Sequence, residues 1–472
     1  MKTYEDLVAL GENEVERMSF IQAAIHDYAA SPEYRFAQAA ELYYNGENPT
    51  INSYEKILYD MAGKAHVDMW TANHKIASSF FTMVIDQEVG YLLGNGVRFA
   101  NDATKDKLGA TFDEDVMDAL EYARIGGAAF GFWNVDHIDV FKATEFCPLY
   151  GEETGSLMAG IRWWQLDASK PLRCTLYEPD GFTEYIKRKG EDMQILKEKR
   201  SYVIRTVASE ADGTIDVNGE NYVTLPIVPL YANKAHKSAL RGKRNTVDAL
   251  DLASSNMVNN VDEGNLIYWV LSNAGGMDDL DDAKFIERLK TIHVAHVDGE
   301  AGATATAQTI EAPYEGTKTT IDMLVNRLYD DFQAFNSAAV SASNQSATAI
   351  QASYVPLDLK VDKIERQVTR FISGILALAG IDDSPMYTRN QIINKQEETQ
   401  VLIMQAQYLT EEYIREKLLT INGDIDMLED MNKQIDAEGL DRVTPDEEET
   451  PEGEENDDDA KATATRHSNT LT

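Results

Sequence analysis

The sequence predicts an α+β fold that is predominantly helical, and three observations carry that reading. Two amphipathic helical segments, Thr246–Val270 and Thr317–Asn336, flank a small insert of different composition. From about residue 126 to Pro229 the pattern changes to short apolar or alternating runs of strand length, divided by turn residues. From Val361 to about Gly439 helical periodicity returns.

Taken in order, Met1 to about Tyr28 reads as helical and acidic, with Leu7, Leu10, Val15, Met18, Ile21 and Ile25 apolar. It suits either an exposed arm or a helix packed on the body. Ser31-Pro-Glu-Tyr opens the next helix, serine as N-cap and proline at the first position, and Asn45-Gly46 closes it. A further helix is predicted over His74–Tyr91, with Ile76, Phe80, Val84, Ile85 and Val89 as its stripe. Gly94-Asn-Gly96 follows a helix instead of a strand and lacks a third glycine, so it reads as a turn and not as a phosphate loop. Lys105–Ile125 is predicted helical. Strands are predicted at Ile138, Met158, Arg173, Phe182, Tyr202 and Tyr222-Val-Thr-Leu225, with turns at Pro179-Asp-Gly181 and Asn218-Gly219. An antiparallel sheet packed on helices is the economical arrangement.

The paired segments follow. Val247, Leu250, Met257, Val258, Val261 and Trp269 line the first, and Ile321, Leu324, Val325, Leu328, Phe332 and Phe335 the second. Each spans roughly 30 Å or more. Two such helices bury one face against each other and leave the rest for a partner, most simply the same pair in another copy. The insert Asp278–Glu311 reads as a short helix and two strands, and Ser337–Ser346 has almost no large side chains. Val361–Ala379 is a long helix, residues 390–439 read as three short helices with Thr410-Glu-Glu412 starting one, and Thr444–Thr472 is acidic, polar and predicted disordered. That tail suits plain solvation or docking of a basic assembly factor.

At 472 residues, 43% of them hydrophobic, the chain can bury a sizeable core. Its two cysteines, Cys147 and Cys174, lie far apart and away from any histidine at ligand spacing, which argues for a reducing compartment and against a disulfide framework or zinc site. The N-terminus lacks the apolar core of a signal peptide, and the longest apolar run, Phe371–Ile381, is half of the ~20 residues a span needs. A soluble, cytoplasmic protein without membrane partners is predicted. The net charge of −37 suits solubility or a salt-adapted host, and equally a surface that repels nucleic acid. Charge alone argues against a nucleic-acid partner; any DNA would have to slide past.

Motifs for chemistry are wanting. The eight histidines are scattered, with none in a His-Glu-x-x-His pattern, and there is neither a Gly-x-x-x-x-Gly-Lys-[Ser/Thr] loop nor a Gly-x-Ser-x-Gly elbow. No enzyme, cofactor or metal is predicted. One positive segment stands out: Lys234, Lys237, Arg241, Lys243 and Arg244, five basic residues in eleven. They suit pairing with acids of a neighbour, or no binding at all; in the ring that the resemblance given next implies, they suit a collar that touches phosphate or the acidic face of the next subunit.

Several stretches together resemble a known family. Val89-Gly-Tyr-Leu-Leu-Gly-Asn-Gly-Val97, Tyr122-Ala-Arg-Ile-Gly-Gly-Ala-Ala-Phe130, Ile227-Val-Pro-Leu-Tyr-Ala-Asn-Lys234, the helix beginning near Thr246, Ile267-Tyr-Trp-Val-Leu271 and the segment Ala347–Lys360 resemble, in order, the portal proteins of tailed bacteriophages with long non-contractile tails. The similarity covers about residues 30 to 440. It implies a portal-type fold assembled as a ring: an N-terminal arm (1–29), a wing (30–229 and again 351–389), a first stem helix with its basic lead-in (230–270), a clip (271–316), a second stem helix (317–336), a tunnel loop (337–350), a helical crown (390–440) and an acidic tail (441–472).

The resemblance further implies a channel at one capsid vertex for packaging and ejecting double-stranded DNA. It implies a ring of twelve copies and weak, non-specific DNA contact. Partners would be the terminase large subunit, a head-completion or adaptor protein, the major capsid protein and scaffold. The location would be the virion, and the host cytoplasm during assembly. Channel-facing residues would be Val340, Ser341, Ser343, Asn344, Gln345 and Ser346; family loops often carry a bulky apolar tip, and this one is smaller and more polar. Interface residues of the clip would be Ile292, Val294, Val297, Thr306, Gln308 and Ile310. The alternative is an oligomeric scaffold or adaptor of a virion with no channel.

Overall fold

The computed structural model describes residues 2–59, 63–68, 72–101, 103–208, 215–264, 267–272, 304–309, 314–341, 347–390, 395–422 and 425–438. The chain divides into two units, Met1–Gln391 and Ile392–Thr472.

Helices α1 (Tyr4–Val8) and α2 (Glu14–Ala29) open the first unit. Thr3 and Asp6 form a reciprocal capping box on α1, and the Asn13 side chain accepts from the Glu16 amide at the head of α2. Leu7, Phe20, Ile21 and Ala24 are buried against Cys147, Leu149, Ala159 and Ile161 of a sheet, so the N-terminal segment is packed on the body. The ion pair Arg17–Glu178, 2.6 Å and nearly buried, ties it there. Ser31 caps α3 (Pro32–Tyr44) by accepting from the Tyr34 amide at 3.2 Å, with proline in the first turn, as the sequence predicts. A short α4 (Pro49–Asn52) and a hairpin of β1 (Ile57–Tyr59) and β2 (Ala65–Val67) come next.

The predicted helix over His74–Tyr91 begins only at Phe80, as α5 (Phe80–Leu93). Residues 74–79 run beside α8 (Arg244–Gly264) instead. The amides of His74, Ile76 and Ser78 donate to Asn259 Oδ1 (2.7 Å), Ser255 Oγ (3.0 Å) and Asp251 Oδ1 (3.0 Å). Two residues of extended chain advance about 6.6 Å and four helical residues about 6.0 Å, so alternate amides meet every fourth side chain of α8. Those three side chains are all buried, and they take amides that a helix would have used itself.

β3 (Val97–Arg98), α6 (Ala103–Lys107) and α7 (Phe112–Gly126) follow, so the predicted helix Lys105–Ile125 is broken in two. The β region holds β4 (Ala128–Trp133), β5 (Ile138–Lys142), β6 (Phe146–Tyr150), β7 (Leu157–Trp164), β8 (Leu172–Glu178), β9 (Gly181–Lys187), β10 (Gln194–Arg200), β11 (Val203–Ala208), β12 (Ile215–Glu220) and β13 (Ile227–Tyr231). Strands β6 to β10 form an antiparallel meander, β13-β4-β5 a second sheet, and β11 pairs with β12. The turn at Pro179-Asp-Gly181 joins β8 to β9 as predicted. Asn218 and Gly219, expected as a turn, lie inside β12 opposite Arg205 and Ile204. Tyr222–Leu225, expected as a strand, is irregular, with Val223 fully exposed. Phe130, Phe132, Phe141, Phe146 and Tyr177 form an aromatic core shared by the two larger sheets. Gly131 of β4 leaves no free room for a side chain: a Cβ there would lie 2.5 Å from the buried ring of Phe371, so something would have to shift.

The helix predicted over Thr246–Val270 stops at Gly264. Ile267–Ser272, β-branched and aromatic, is strand β14, paired antiparallel with β15 (Thr304–Thr309). Then come α9 (Tyr314–Phe332), which packs along α8, the short α10 (Ser337–Ser341), and α11 (Ala347–Ala379). α11 extends the predicted Val361–Ala379 helix by four turns toward its N-terminus and carries Pro356 internally, where one ladder hydrogen bond is lost. β16 (Met386–Tyr387) pairs with β3. Val361, Ile364, Val368, Phe371, Ile372 and Ile375 of α11 join Phe81, Val84 and Ile85 of α5 and Val116, Leu120 and Ala123 of α7 in the main core.

The second unit holds α12 (Lys395–Gln405), α13 (Glu411–Asn422) and α14 (Leu428–Glu438), the helix–break–helix pattern the sequence predicts. Thr410 heads α13, accepting from the Tyr413 and Ile414 amides.

Candidate functional site

The basic segment begins where α7 ends. Gly127 closes that helix at φ +100, and a Cβ there would meet the His236 carbonyl at 2.9 Å, so the chain returning at residues 232–239 lies directly on the helix end. The Ala232 amide donates to the Gly127 carbonyl, and the Ala239 amide to that of Arg124. His236 stacks on Tyr231 with ring centroids 3.5 Å apart.

Of the five predicted basic residues, four are engaged within the chain. Lys237 pairs with Glu33 at 2.8 Å, and this contact holds the Glu33 carboxyl below its usual range. Arg241 lies over the ring of Phe36 at 5.0 Å. Arg244 donates to Tyr43 Oη and Thr50 Oγ1, each at 3.0 Å. Lys243 is half-buried, donates to the Ala239 carbonyl and sits 4.8 Å over the ring of Phe332. Burial and nearby Arg124 push its ammonium pKa down, against the pull of Glu88 and Asp331. Lys234 is exposed and has no partner among the described residues.

Lys243 leads into a buried charge cluster that sequence reasoning missed. Glu88 of α5, 1% exposed, is paired with Arg124 of α7 and Lys360 of α11. Arg124 also donates to the Ala232 carbonyl at 3.0 Å, and Lys360 to the Phe332 carbonyl at the end of α9. Burial alone would raise the Glu88 carboxyl, but the two cations outweigh it and hold the pKa low. One carboxylate serves more cations than it can neutralise, so burial with Arg124 and Lys243 drives Lys360 down to about 8 despite Glu88. A signal was available: Glu88, Arg124 and Lys360 each stand on the apolar stripe of their helix, four residues after Val84, four after Leu120 and three after Leu357. A charge on a buried stripe implies a buried partner.

The base of the predicted tunnel loop is built on the same helix. α9 ends with Gln333 at φ +51 and the Ala334 amide donating back to the Tyr329 carbonyl, a sharp stop in a conformation few non-glycine residues adopt. Asn336 then caps α10, its Oδ1 accepting from the Ala339 amide at 3.1 Å. Val340 is half-buried and Ser341 is the last residue of α10. Ser343, Asn344, Gln345 and Ser346 lie outside the described residues. So do Ile292, Val294, Val297 and Ile310 of the predicted clip face. Thr306 and Gln308 are in β15, opposite Val270 and Tyr268, and Thr306 is exposed. Thus the structure brings Lys243 to the end of α9.

Both cysteines are buried and unpaired, and burial pushes each thiol up to about 12. Among the described residues no group of three or more His, Cys, Asp and Glu side chains could hold a metal ion, and no helix is long and apolar enough to cross a membrane.

Residues 29–439 match the family model described as phage portal protein, SPP1 Gp6-like, and the chain belongs to that family. The family is structural, not enzymatic. The chain is 24% identical over 363 residues to the portal protein of Clostridium phage phiCD119, covering 70% of this chain and 78% of that one. It is 22% identical over 394 residues to the portal protein of Bacillus phage SPP1, covering 76% and 75%. Among solved structures it is similar to a chain from the neck of a native GTA particle computed with C12 symmetry (TM-score 0.38, 10% identity, 72% of this chain and 89% of that one). A chain from the neck of an empty GTA particle computed with C6 symmetry gives a TM-score of 0.42 at 10% identity, covering 72% and 90%.

Proposed function

We propose that twelve copies of this phage portal protein close into a ring at one capsid vertex and surround a channel through which double-stranded DNA enters and leaves. The observation that carries the reading, given the family, is the helix pair α8 and α9. They pack along each other, yet Thr319, Asp322, Met323, Asn326 and Asp330 of α9 remain exposed, Met323 at 61%. A face of that kind, repeated by rotation, is covered by the next copy in a heterologous interface, and such an interface closes into a ring where the rotation between copies returns to its start.

On this reading α8 and α9 are the stem, β14 and β15 belong to the clip with Ile292–Val297, residues 337–350 form the tunnel loop, and α12 to α14 form the crown. The clip would dock the terminase large subunit during packaging and a head-completion protein afterwards, while the wing meets capsid protein and scaffold. The energy for movement comes from the terminase. Assembly takes place in the host cytoplasm, and the finished ring stays in the virion.

Charge fits conduction. Twelve chains at −37 carry roughly 440 negative charges before counterions, and an electronegative wall cannot trap a phosphate backbone. Translocation requires weak, sequence-independent contact, and Lys234 and Arg241 are the exposed cations of the collar that would supply it. Negative-stain images and native mass of purified full-length protein test the proposal. Rings of twelve with an axial hole are expected; compact single particles at assembly-competent concentration would refute it.

A further inference from the structure

We infer that Gln87, with Glu88 and Tyr91 beside it on α5, is the positioning residue that fixes where the α9–α10 segment leaves the body. The inference rests on the reading of residues 337–350 as the channel loop. Gln87 grips the backbone of Phe335 at two points: its Nε2 donates to the Phe335 carbonyl at 2.9 Å, and its Oε1 accepts from the Phe335 amide at 2.8 Å. This is a strand-like pairing made by one side-chain amide across 248 residues of sequence.

The neighbours of Gln87 hold the other leg. Lys360 of α11, paired with Glu88, donates to the Phe332 carbonyl. Tyr91 donates to Asp358 of α11 and stacks on Tyr354, centroids 5.7 Å apart. Tyr354 in turn stacks on Phe335 at 4.1 Å and 7°. One turn of α5 therefore grips both the segment that precedes α10 and the N-terminal half of α11. With Gln333 already turned at φ +51, little backbone freedom is left before Asn336. The two legs are fixed at their base, and any difference in where α10 stands must arise beyond it.

Gln87 is half-buried at the surface of α5, so its replacement leaves the core intact. The test uses the full chain assembled into rings and procapsids, with Gln87→Ala and Gln87→Glu. Glutamate keeps the acceptor for the Phe335 amide but sets a carboxylate against its carbonyl. Rings should form in wild-type yield. Amide exchange in a peptide covering residues 333–341 should speed up tenfold or more in the alanine variant, less in the glutamate variant, with α7 and α14 unchanged. Packaged DNA retained per particle should fall severalfold in the same order. Unchanged exchange over 333–341, or loss of DNA that only follows loss of rings, would overturn the positioning role. Faster exchange with undiminished packaging and retention would uphold it and sink the channel-loop reading instead.

Discussion

Replacing Glu88 by glutamine is the most informative single perturbation of this fold. The substitution keeps shape and one of the two acceptor oxygens but removes the one negative charge between Arg124 and Lys360, whose side chains are 7% and 12% exposed. Breaking a buried pair by deleting one partner costs about 3–5 kcal/mol, since the remaining charge is left uncompensated. The first unit spans Met1–Gln391, and at ~2.1 cal/mol/K per residue its unfolding entropy is about 0.8 kcal/mol/K, so that cost is a fall of about 4–6 °C in Tm. Scanning calorimetry of the unassembled subunit measures it. A fall below about 1 °C at pH 7 would mean that the cluster is solvated and that its role in joining α5, α7 and α11 is mistaken.

The same variant has a pH signature. Lys360 has a folded pKa near 8 against an ordinary 10.5, so the fold binds this proton less well than the unfolded chain does, and stability rises with pH between those values. Without Glu88, the group that holds the proton on, the lysine is neutral in the fold at still lower pH. The variant therefore gains more stability between pH 7 and 8 than the wild type does, and its deficit narrows. Adding Lys360→Met to Glu88→Gln removes a buried amine that has lost its carboxylate and should restore part of the loss. A double variant that is worse by the sum of both singles would contradict the cluster.

Three other outcomes follow from single contacts. Gly131→Ala puts a methyl 2.5 Å from the Phe371 ring, which is fully buried and cannot swing aside, so a loss of about 1–3 kcal/mol is expected in denaturant titration. Burial first, then Asp118 and Asp86, raises the Glu121 carboxyl, against Tyr44 and Lys142. Its stabilising protonated form is thus lost as pH rises through the folded pKa, so Glu121→Gln should melt above the wild type at pH 7, with the gap closing toward pH 5; a constant gap would count against this. Free duplex should bind assembled rings only weakly at moderate salt, and sub-micromolar affinity in a fluorescence titration would count against an electronegative channel.

Elements whose signals are local were legible. Ser31-Pro32 and Asn45-Gly46 bound α3 by capping chemistry within a few residues, and Pro179-Asp-Gly181 makes its turn by the same local means. What the sequence hid was decided at a distance. The stretch His74–Ser79 carries a helical stripe, yet Asp251, Ser255 and Asn259 claim its amides from α8. Ile267–Ser272 continues the apolar period of α8 but has a strand partner at Thr304–Thr309. Arg244 and Lys237 read as a free positive patch because Tyr43, Thr50 and Glu33 lie about 200 residues away in sequence. The clamp on Phe335 is the extreme case, because a glutamine on the polar side of an amphipathic helix carries no signal for its distant partner.

These long-range polar contacts share a consequence for the charge argument. A strongly acidic chain that concentrates its cations in one segment could still hold DNA there if those cations were free. Instead Lys237 is paired with Glu33, Arg244 is bound to neutral hydroxyls beside Asp248, and Lys243 is pressed on Phe332 with its ammonium pKa pushed down. What remains for phosphate is Lys234 and the solvent-facing side of Arg241, two cations per copy. At a salt slope of about 0.9 per neutralised phosphate, each cation engaged within the chain takes about one unit off the salt dependence that a fully free segment would give. The positive segment thus uses most of its charge to hold α3, α8 and the end of α9 together, which leaves fewer of its cations free for phosphate.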